Sequence, residues 1–356
     1  MADIYETLRA RLDSMSTGFP KTKNKSEIKV LKRLFTEEHA ELFLALTVMP
    51  ETPEQAAERL GRDSSELADM MEEMAQKGLL FRIRENGVAS YSCVPYIVGL
   101  AEFQINALKT DKELATDMAM HFMDGFVETL QSLETHHQRT IPVNTGLVSQ
   151  WPIAPYEDAI AMLKKQKRIA VANCACRSIT HQVVPDPCGK PLETCMMFGS
   201  GADYYIENGW GREIDVEEAV SILKLCDEHA LVVQPVNSKK AGAICACCGD
   251  CCWMLNSLKM QAKPAESVKS NYFAQIDGEE CTGCEICLDR CQMKAITIED
   301  EIAVLDRDRC IGCGLCVTTC PSEAASLVKK SEDQLYEPPE NHVDMYIKMG
   351  MERGVI

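Results

Sequence analysis

Two cysteine runs of identical spacing lie in residues 281–320, which read CTGCEICLDRCQMKAITIEDEIAVLDRDRCIGCGLCVTTC. Each run is C-x2-C-x2-C-x3-C, and Pro321 follows the second. Three thiolates at this spacing turn around one iron–sulfur cubane, while the fourth cysteine of the run points to the neighbouring cluster. The spacing predicts one [4Fe–4S] site on Cys281, Cys284, Cys287 and Cys320, and another on Cys310, Cys313, Cys316 and Cys291. A zinc site or a disulfide framework is the alternative, but eight cysteines in a repeated pattern favour the clusters.

Residues 271–330 resemble a bacterial-type two-cluster ferredoxin in more than their cysteines. Gly283 and Gly312 lie two residues after the first cysteine of each run, where we expect the backbone to approach the cluster closely. Two short apolar segments around three acidic residues, within 295–305, predict a β-hairpin. One departure is Gln292, where the first run of such a ferredoxin usually carries proline. It affects the turn that follows more than ligation.

Length and composition limit the class of protein. A chain of 356 residues accommodates two or three domains, and no apolar run of 18 residues predicts a membrane span. The chain has nineteen cysteines, and its N-terminus lacks the features of a secretory signal. We therefore expect the cysteines to bind metal in a reducing cytoplasm rather than to form disulfides. Oxygen-sensitive clusters in such number suggest an anaerobe. The net charge of −17 disfavours nucleic acid and anionic membranes, and suits docking onto a basic patch of a redox partner.

The expected fold class is α+β and multidomain. The predicted units are a helical and winged-helix-like domain (1–110), a long helix and linker (111–149), an α/β cysteine-rich domain (150–270), a two-cluster ferredoxin domain (271–330) and a C-terminal tail (331–356). We expect Met345, Ile347 and Met351 to mark where the tail packs back on the body.

Helix signals and a hairpin signal alternate in the N-terminal unit. Residues 52–55 form a capping box with proline at the first helical position, and residues 63–66 open a second helix in the same way. Residues 84–87 separate two β-type segments and predict a hairpin. This order resembles a winged helix-turn-helix domain over about residues 25–95.

The second of these helices is too acidic for a DNA-reading role. Residues 63–77 carry five acidic side chains against one base, Lys77, whereas a helix in the major groove needs bases and amides facing the DNA. We therefore expect a protein-docking module and no nucleic-acid partner. The stripe Met70, Met71 and Met74 is expected in the core, with a partner-facing surface as the alternative.

The predicted long helix near residues 112–136 carries several histidines. His121, His136 and the adjacent His137 lack the paired context of a metal site. We expect these side chains on a solvated helix face.

Residues 174–252 contain ten cysteines, and nine of them, all except Cys226, form two sequence motifs that point to further metal sites. Four of them, at C-x-C-x11-C-x6-C spacing, are Cys174, Cys176, Cys188 and Cys195. They can hold zinc or a [4Fe–4S] cluster, and the clusters downstream favour iron. The neighbouring Arg177 can hydrogen-bond to cluster sulfur or form a structural salt bridge.

The densest cysteine segment, 245–252, reads CACCGDCC. It contains C-x2-C-x2-C at Cys245, Cys248 and Cys251, which predicts a fourth cluster. Its remaining ligand is Cys247, Cys252 or Cys226. Alternatively, Cys247 and Cys252 stay free as a redox-active thiol pair, or the centre departs from a cubane. Cys93 is expected to be a buried small apolar side chain.

The order N-C-x-C-R, P-L-E-x-C and C-x-C-C-x2-C-C ahead of the ferredoxin unit resembles a family of anaerobic ferredoxin-type 4Fe–4S binding proteins, over about residues 140–330. This resemblance implies cluster binding and electron transfer but no substrate. We expect a multi-cluster protein that relays single electrons between anaerobic redox partners. Such a protein can be a subunit of an oxidoreductase complex. The alternatives are a reductase with its active centre at Cys245–Cys252, an iron–sulfur transcription regulator, and a structural subunit.

Overall fold

The structure is a computed structural model that describes residues 3–143 and 153–356. The domain limits predicted at residues 149 and 150 lie outside the described residues. The N-terminal region consists of helices followed by a β-hairpin: α1 (Ile4–Asp13), α2 (Ser26–Leu34), α3 (Glu37–Ala45), α4 (Pro53–Leu60), α5 (Ser64–Gln76), β1 (Phe81–Glu85) and β2 (Val88–Ser92).

Local sequence signals explain the later part of this region. The Thr52 and Gln55 side chains form the predicted capping box at the start of α4, and Asp63 caps α5. Asn86 and Gly87 both have positive φ (52° and 81°), as a two-residue hairpin turn requires, and β1 pairs with β2 antiparallel. The predicted helices and hairpin are therefore confirmed, while their assignment as a winged-helix domain stays a prediction.

Helix α5 and the hairpin pack on the middle of the chain. Met71 and Met74 are fully buried, which confirms the core interpretation for these two methionines. The buried Arg82 guanidinium of β1 bonds to Glu72 of α5 (2.6 Å) and to Glu207 (2.7 Å), far along the chain. Arg82, a basic side chain of the hairpin, thus forms its ion pairs within the protein.

The predicted long helix consists of α6 (Lys112–His121), a π-turn at Phe122–Phe126 and α7 (Val127–Ser132). The expectation of a solvated histidine face is wrong. His121 and His137 are 0% and 2% exposed, and burial lowers the pKa of each to about 4. Neighbouring segments cover this side of the helix, as shown by the bond between His121 Nε2 and the Pro20 carbonyl.

A five-stranded antiparallel sheet, in the order β5-β3-β4-β7-β6, forms the centre of the described middle region. Its strands and the surrounding helices are α8 (Ala159–Lys164), β3 (Ile169–Asn173), α9 (Ala175–Val183), β4 (Glu193–Phe198), α10 (Ser200–Glu207), β5 (Gly211–Ile214), α11 (Val216–Glu228), β6 (Val232–Pro235), β7 (Ala243–Cys247), α12 (Trp253–Lys259) and α13 (Pro264–Ser267).

The two faces of this sheet contribute to different parts of the core, because alternate residues of a strand point to opposite faces. Ala170 and Met197 pack with the N-terminal helices, whereas Val171 and Met196 pack with α11. The core is therefore continuous between the N-terminal and middle regions.

The C-terminal region contains β8 (Tyr272–Ile276), α14 (Ile286–Arg290), β9 (Ile296–Glu299), β10 (Ile302–Leu305), β11 (Ala325–Lys329) and α15 (His342–Glu352). Strands β9 and β10 form the predicted hairpin, and β8 pairs with β11. In the tail, Met345 and Met349 are buried, while Ile347 and Met351 are 40% and 62% exposed. The tail therefore packs back on the body as expected, through the side of α15 that carries Met345 and Met349, while Ile347 and Met351 lie on its exposed side. No helix in the described ranges is long and apolar enough to cross a membrane.

Candidate metal centres

The first ferredoxin group surrounds one cavity. Cys281, Cys284, Cys287 and Cys320, from both runs, line it together with backbone of the same loops. Backbone N–H groups point at two of the sulfurs: Ala303 donates to Cys281 Sγ and Ala325 donates to Cys320 Sγ, both at 3.4 Å. Such hydrogen bonds stabilise thiolate charge and raise the potential of a bound cluster.

The second group comprises Cys310, Cys313, Cys316 and Cys291. Burial, together with the smaller effect of the neighbouring Cys291 and Cys310 thiolates, raises the pKa of Cys313 to about 12. The N–H of Ala274 donates to Cys310 Sγ at 3.4 Å, and that of Ala295 donates to Cys291 Sγ at 3.2 Å. The chain therefore brings the eight cysteines together in the two sets that their spacing predicts.

Gly283 and Gly312, the glycines of the two cysteine runs, closely approach neighbouring backbone of the same domain. Both have positive φ, and a Cβ at Gly283 would lie 2.3 Å from the Glu301 carbonyl oxygen. A Cβ at Gly312 would lie 2.1 Å from the Tyr272 carbonyl oxygen. The close approach that requires glycine is thus to the adjacent β-segments.

Six cysteines of the middle region form what we call the six-cysteine group. Its members are Cys174, Cys176, Cys195, Cys245, Cys247 and Cys252, which come from the start of α9, from β4, from β7 and from the start of α12. Thiol contacts link Cys174 to Cys176, Cys176 to Cys252, Cys252 to Cys247, Cys247 to Cys245 and Cys245 to Cys195.

A separate three-cysteine group consists of Cys188, Cys248 and Cys251. Cys188 Sγ lies 3.3 Å from Cys251 Sγ and 4.0 Å from Cys248 Sγ. The three sulfurs lie within 4.8 Å of one another. Cys248 and Cys251 are buried, and Cys188 is partly buried in the loop after α9.

The middle cysteines are therefore grouped differently from the sequence prediction. Cys188 is separated from the other cysteines of the C-x-C-x11-C-x6-C motif, and Cys245 is separated from Cys248 and Cys251. The reason is that Cys245 lies within strand β7, where it shares a face with Cys247, rather than in a cluster-binding turn. Pairing of β4 with β7 places Cys195 opposite Cys245, with their sulfurs 4.0 Å apart.

The two cysteines outside these groups are buried. Cys226 lies on the inner side of α11, and Cys93 donates to the Phe43 carbonyl. The expectation for Cys93 is confirmed. Cys226 has no thiol contact with the three-cysteine group among the described residues.

Arg177 is a fully buried guanidinium between the two middle groups. It donates to the Ala246 carbonyl (3.1 Å) and to the Thr194 hydroxyl. Burial lowers its pKa, but the thiolates of Cys174, Cys248 and Cys247 raise it by more. No carboxylate forms an ion pair with Arg177 in the described part of the chain, so thiolates are its counter-charges and the salt-bridge alternative is wrong.

One packed core joins the middle cysteines to the ferredoxin region. Cys247 and Cys252 are buried in it with Ile311 and Leu315, and Cys291 and Cys313 pack against it. At its edge, the Gly249 N–H donates to Gln292 Oε1 at 2.7 Å. Gln292, the residue that departs from the ferredoxin pattern, thus forms a hydrogen bond between the ferredoxin region and the middle region.

A small cavity with both polar and apolar walls lies beside Cys245. His137, Gln138 and Gln234 line it, and the buried atoms His137 Nε2, Gln138 Oε1 and Gln234 Oε1 have no hydrogen-bond partner within the described ranges. Gln234 pairs with Cys245 across β6 and β7, and Gln138 also contacts the Cys245 thiol. Sequence analysis missed these residues because single amides carry no motif.

Residues 280–332 match the family described as 4Fe-4S dicluster domain. The match contains all eight cysteines of the two runs. No curated protein and no solved structure matches the chain. The C-terminal region is therefore a ferredoxin-type iron–sulfur domain, with [4Fe–4S] clusters as its cofactors, and the chain has an iron–sulfur electron-transfer role.

The donor sets fit this chemistry. Soft thiolates are the ligands that iron–sulfur clusters use, and each ferredoxin group offers four of them with N–H donors beside the sulfurs. The six-cysteine group also offers only thiols, at the buried junction with the ferredoxin domain.

Proposed function

We propose that the chain is a cytoplasmic, multi-cluster electron-transfer protein that relays single electrons between anaerobic redox partners. The two clusters of the ferredoxin domain exchange electrons with a further iron–sulfur centre held by the six-cysteine group. The 17 cysteines of the four groups are the cofactor ligands.

The shared core of Cys247, Cys252, Cys291 and Cys313 is the single observation that carries this proposal. A second core contains Cys316, and Cys281 and Cys291 pack against it. Because Cys291 packs against both cores, cysteines proposed for both ferredoxin clusters are linked through packed side chains to the middle cysteines. A buried, closely packed junction keeps redox centres near one another and away from solvent, and burial is one determinant of their potentials.

The surface at Cys284 supports electron entry or exit through a protein partner. Cys284 is the exposed member of the first ferredoxin group. Exposed acidic side chains lie near it in sequence at Glu279, Glu280 and Glu285. Three more, Glu299, Asp300 and Glu301, belong to the hairpin whose Glu301 carbonyl lies against Gly283. A partner with a basic docking patch is favoured there, because complementary charge accelerates association.

Time-resolved EPR tests the relay in the full-length protein. We expect limiting dithionite to reduce both the ferredoxin clusters and the middle centre. Cys316→Ala removes a buried ligand of the second cluster, so we expect it to slow reduction of the middle centre. Cys93→Ala is the matched control, because Cys93 is also a buried cysteine but belongs to none of the four groups. Equal rates in the Cys316→Ala protein and the control would contradict the relay.

A reductase with its active centre at Cys245–Cys252 is the second candidate. The cavity beside Cys245 favours it, because the unpartnered buried polar atoms on one part of its wall can bind a small polar molecule. Substrate-dependent reoxidation of the reduced protein would support a reductase, and Gln138→Leu is expected to weaken it. If Cys247→Ala and Cys252→Ala leave all activity with an added acceptor intact, this candidate fails.

A further inference from the structure

The three-cysteine group has the dimensions of a site for one metal ion. A tetrahedral ion with metal–sulfur bonds of about 2.3 Å holds its sulfurs about 3.8 Å apart. The sulfur separations of 3.3 Å and 4.0 Å around Cys188 bracket this value. We propose that Cys188, Cys248 and Cys251 bind a single Zn²⁺ ion rather than an iron–sulfur cluster.

The ferredoxin domain of the same chain provides an internal comparison. Each thiolate of a [4Fe–4S] cluster binds a different iron, so the sulfurs of such a site stand further apart than those around one ion. In the described ranges, no three thiols of the ferredoxin groups or of the six-cysteine group come within 4.8 Å of one another. Among the residues that the structure describes, only Cys188, Cys248 and Cys251 do so, which separates this group from the cluster-type groups.

The electrostatics of the group also suit a zinc thiolate. Three thiolates around Zn²⁺ carry one net negative charge, which is costly to bury without compensation. Arg177 is completely buried, contacts the Cys248 thiol and has no carboxylate partner in the described part of the chain. The positive charge of Arg177 and the net negative charge of the three zinc-bound thiolates therefore compensate one another.

The fourth coordination position is left for a nitrogen or oxygen ligand. No other histidine, cysteine or carboxylate of the described residues joins the three sulfurs within 4.8 Å. Cys188 is partly exposed, and the Lys190 ammonium nearby reaches Asp250 and Gln292. Three protein ligands with a water in the fourth position are typical of zinc sites that bind an exogenous ligand.

Metal analysis of full-length protein, purified anaerobically and washed with chelator, tests the assignment. We expect about one zinc per chain in addition to iron and sulfide, as for a single structural or catalytic ion. Cys188→Ser should lose the zinc and keep the iron, whereas Cys195→Ser should lose iron and keep the zinc. Cys226→Ser, a buried cysteine outside both groups, should keep both metals.

Absence of zinc from the wild-type protein, or loss of iron and sulfide in Cys188→Ser, would overturn the proposal. X-ray absorption at the zinc edge of wild-type protein covers the case in which a variant does not fold. We expect three sulfurs at about 2.3 Å and one nitrogen or oxygen, and four sulfurs would contradict the ligand set. The relay is tested separately, because EPR detects the paramagnetic clusters and not zinc.

Discussion

The side chain of Gln292 accepts a hydrogen bond from the backbone N–H of Gly249 at 2.7 Å. Gln292 directly follows Cys291 of the ferredoxin domain, and Gly249 directly follows Cys248 of the middle region. The same oxygen lies 3.2 Å from Lys190 Nζ. This junction connects the loops that carry Cys188, Cys248 and Cys291, and proline at position 292 would provide no such acceptor.

Gln292→Ala is expected to destabilise the junction. The Gly249 N–H is buried, and losing its acceptor costs about 1–3 kcal/mol. Chemical denaturation of the cluster-loaded protein measures the change. Gln334→Ala, at an exposed position, should change the free energy of unfolding by less than about 0.5 kcal/mol. Equal effects of the two substitutions would show that the Gln292 bond is dispensable.

Gly249→Ala should be more harmful than another glycine substitution in the same region. A Cβ at position 249 would lie 2.4 Å from the Gln292 carbonyl oxygen, so the two regions must move apart. Overpacking of this kind costs about 1–3 kcal/mol. Gly242→Ala is the control, because nothing lies within 4 Å of a Cβ there. A thermal midpoint of Gly249→Ala equal to that of the control would contradict the close approach.

Gly312→Ala should impair assembly of the ferredoxin clusters. The residue has φ of 69°, and the added Cβ would meet the Tyr272 carbonyl oxygen at 2.1 Å. The left-handed conformation adds about 1–2 kcal/mol to the steric cost. We expect lower iron and sulfide content after anaerobic reconstitution. Gly278→Ala, with its nearest atom at 3.6 Å, should reconstitute normally, and normal reconstitution of both proteins would refute the prediction.

Burial of His121 makes stability depend on pH. Its pKa is lowered to about 4, first by burial, against about 6.5 in an unfolded chain. Below pH 6.5 the unfolded chain therefore binds a proton that the folded protein does not bind. The contribution of neutral His121 to the free energy of unfolding is fully present above pH 6.5. It is lost as the pH falls toward 4, by up to about 1.4 kcal/mol per pH unit.

Denaturation of His121→Gln and wild-type protein between pH 7 and pH 5 measures this contribution. The slope of the unfolding free energy against pH should be smaller in His121→Gln, because the titrating group is removed. His229→Gln, at an exposed position, should keep the wild-type slope. Acid loss of clusters affects all three proteins, so the difference between slopes decides the outcome, and identical slopes would contradict the prediction.

Local signals made the ferredoxin domain predictable from sequence. Its two groups of four cysteines follow from short spacings, its hairpin from two apolar segments, and its turns from Gly283 and Gly312. The capping box at Thr52 and the turn at Asn86 are equally local, and both are confirmed. Each of these features depends on residues close together in the chain.

The grouping of the middle cysteines could not be predicted in this way. The contact between Cys195 and Cys245 depends on which strands pair and in which register, and the position of Cys188 depends on how the loop after α9 folds back. The burial of His121 similarly depends on a carbonyl 101 residues away in the chain. Spacing motifs carry no information about such distant contacts.

Iron and acid-labile sulfide per chain test the central claim most directly. The ferredoxin domain alone accounts for about 8 iron, at four per [4Fe–4S] cluster. We predict at least about 12 in anaerobically purified wild-type protein, falling to about 8 in Cys195→Ser with the ferredoxin EPR signals unchanged. A wild-type value of about 8, unaffected by Cys195→Ser, would contradict an iron–sulfur centre in the six-cysteine group.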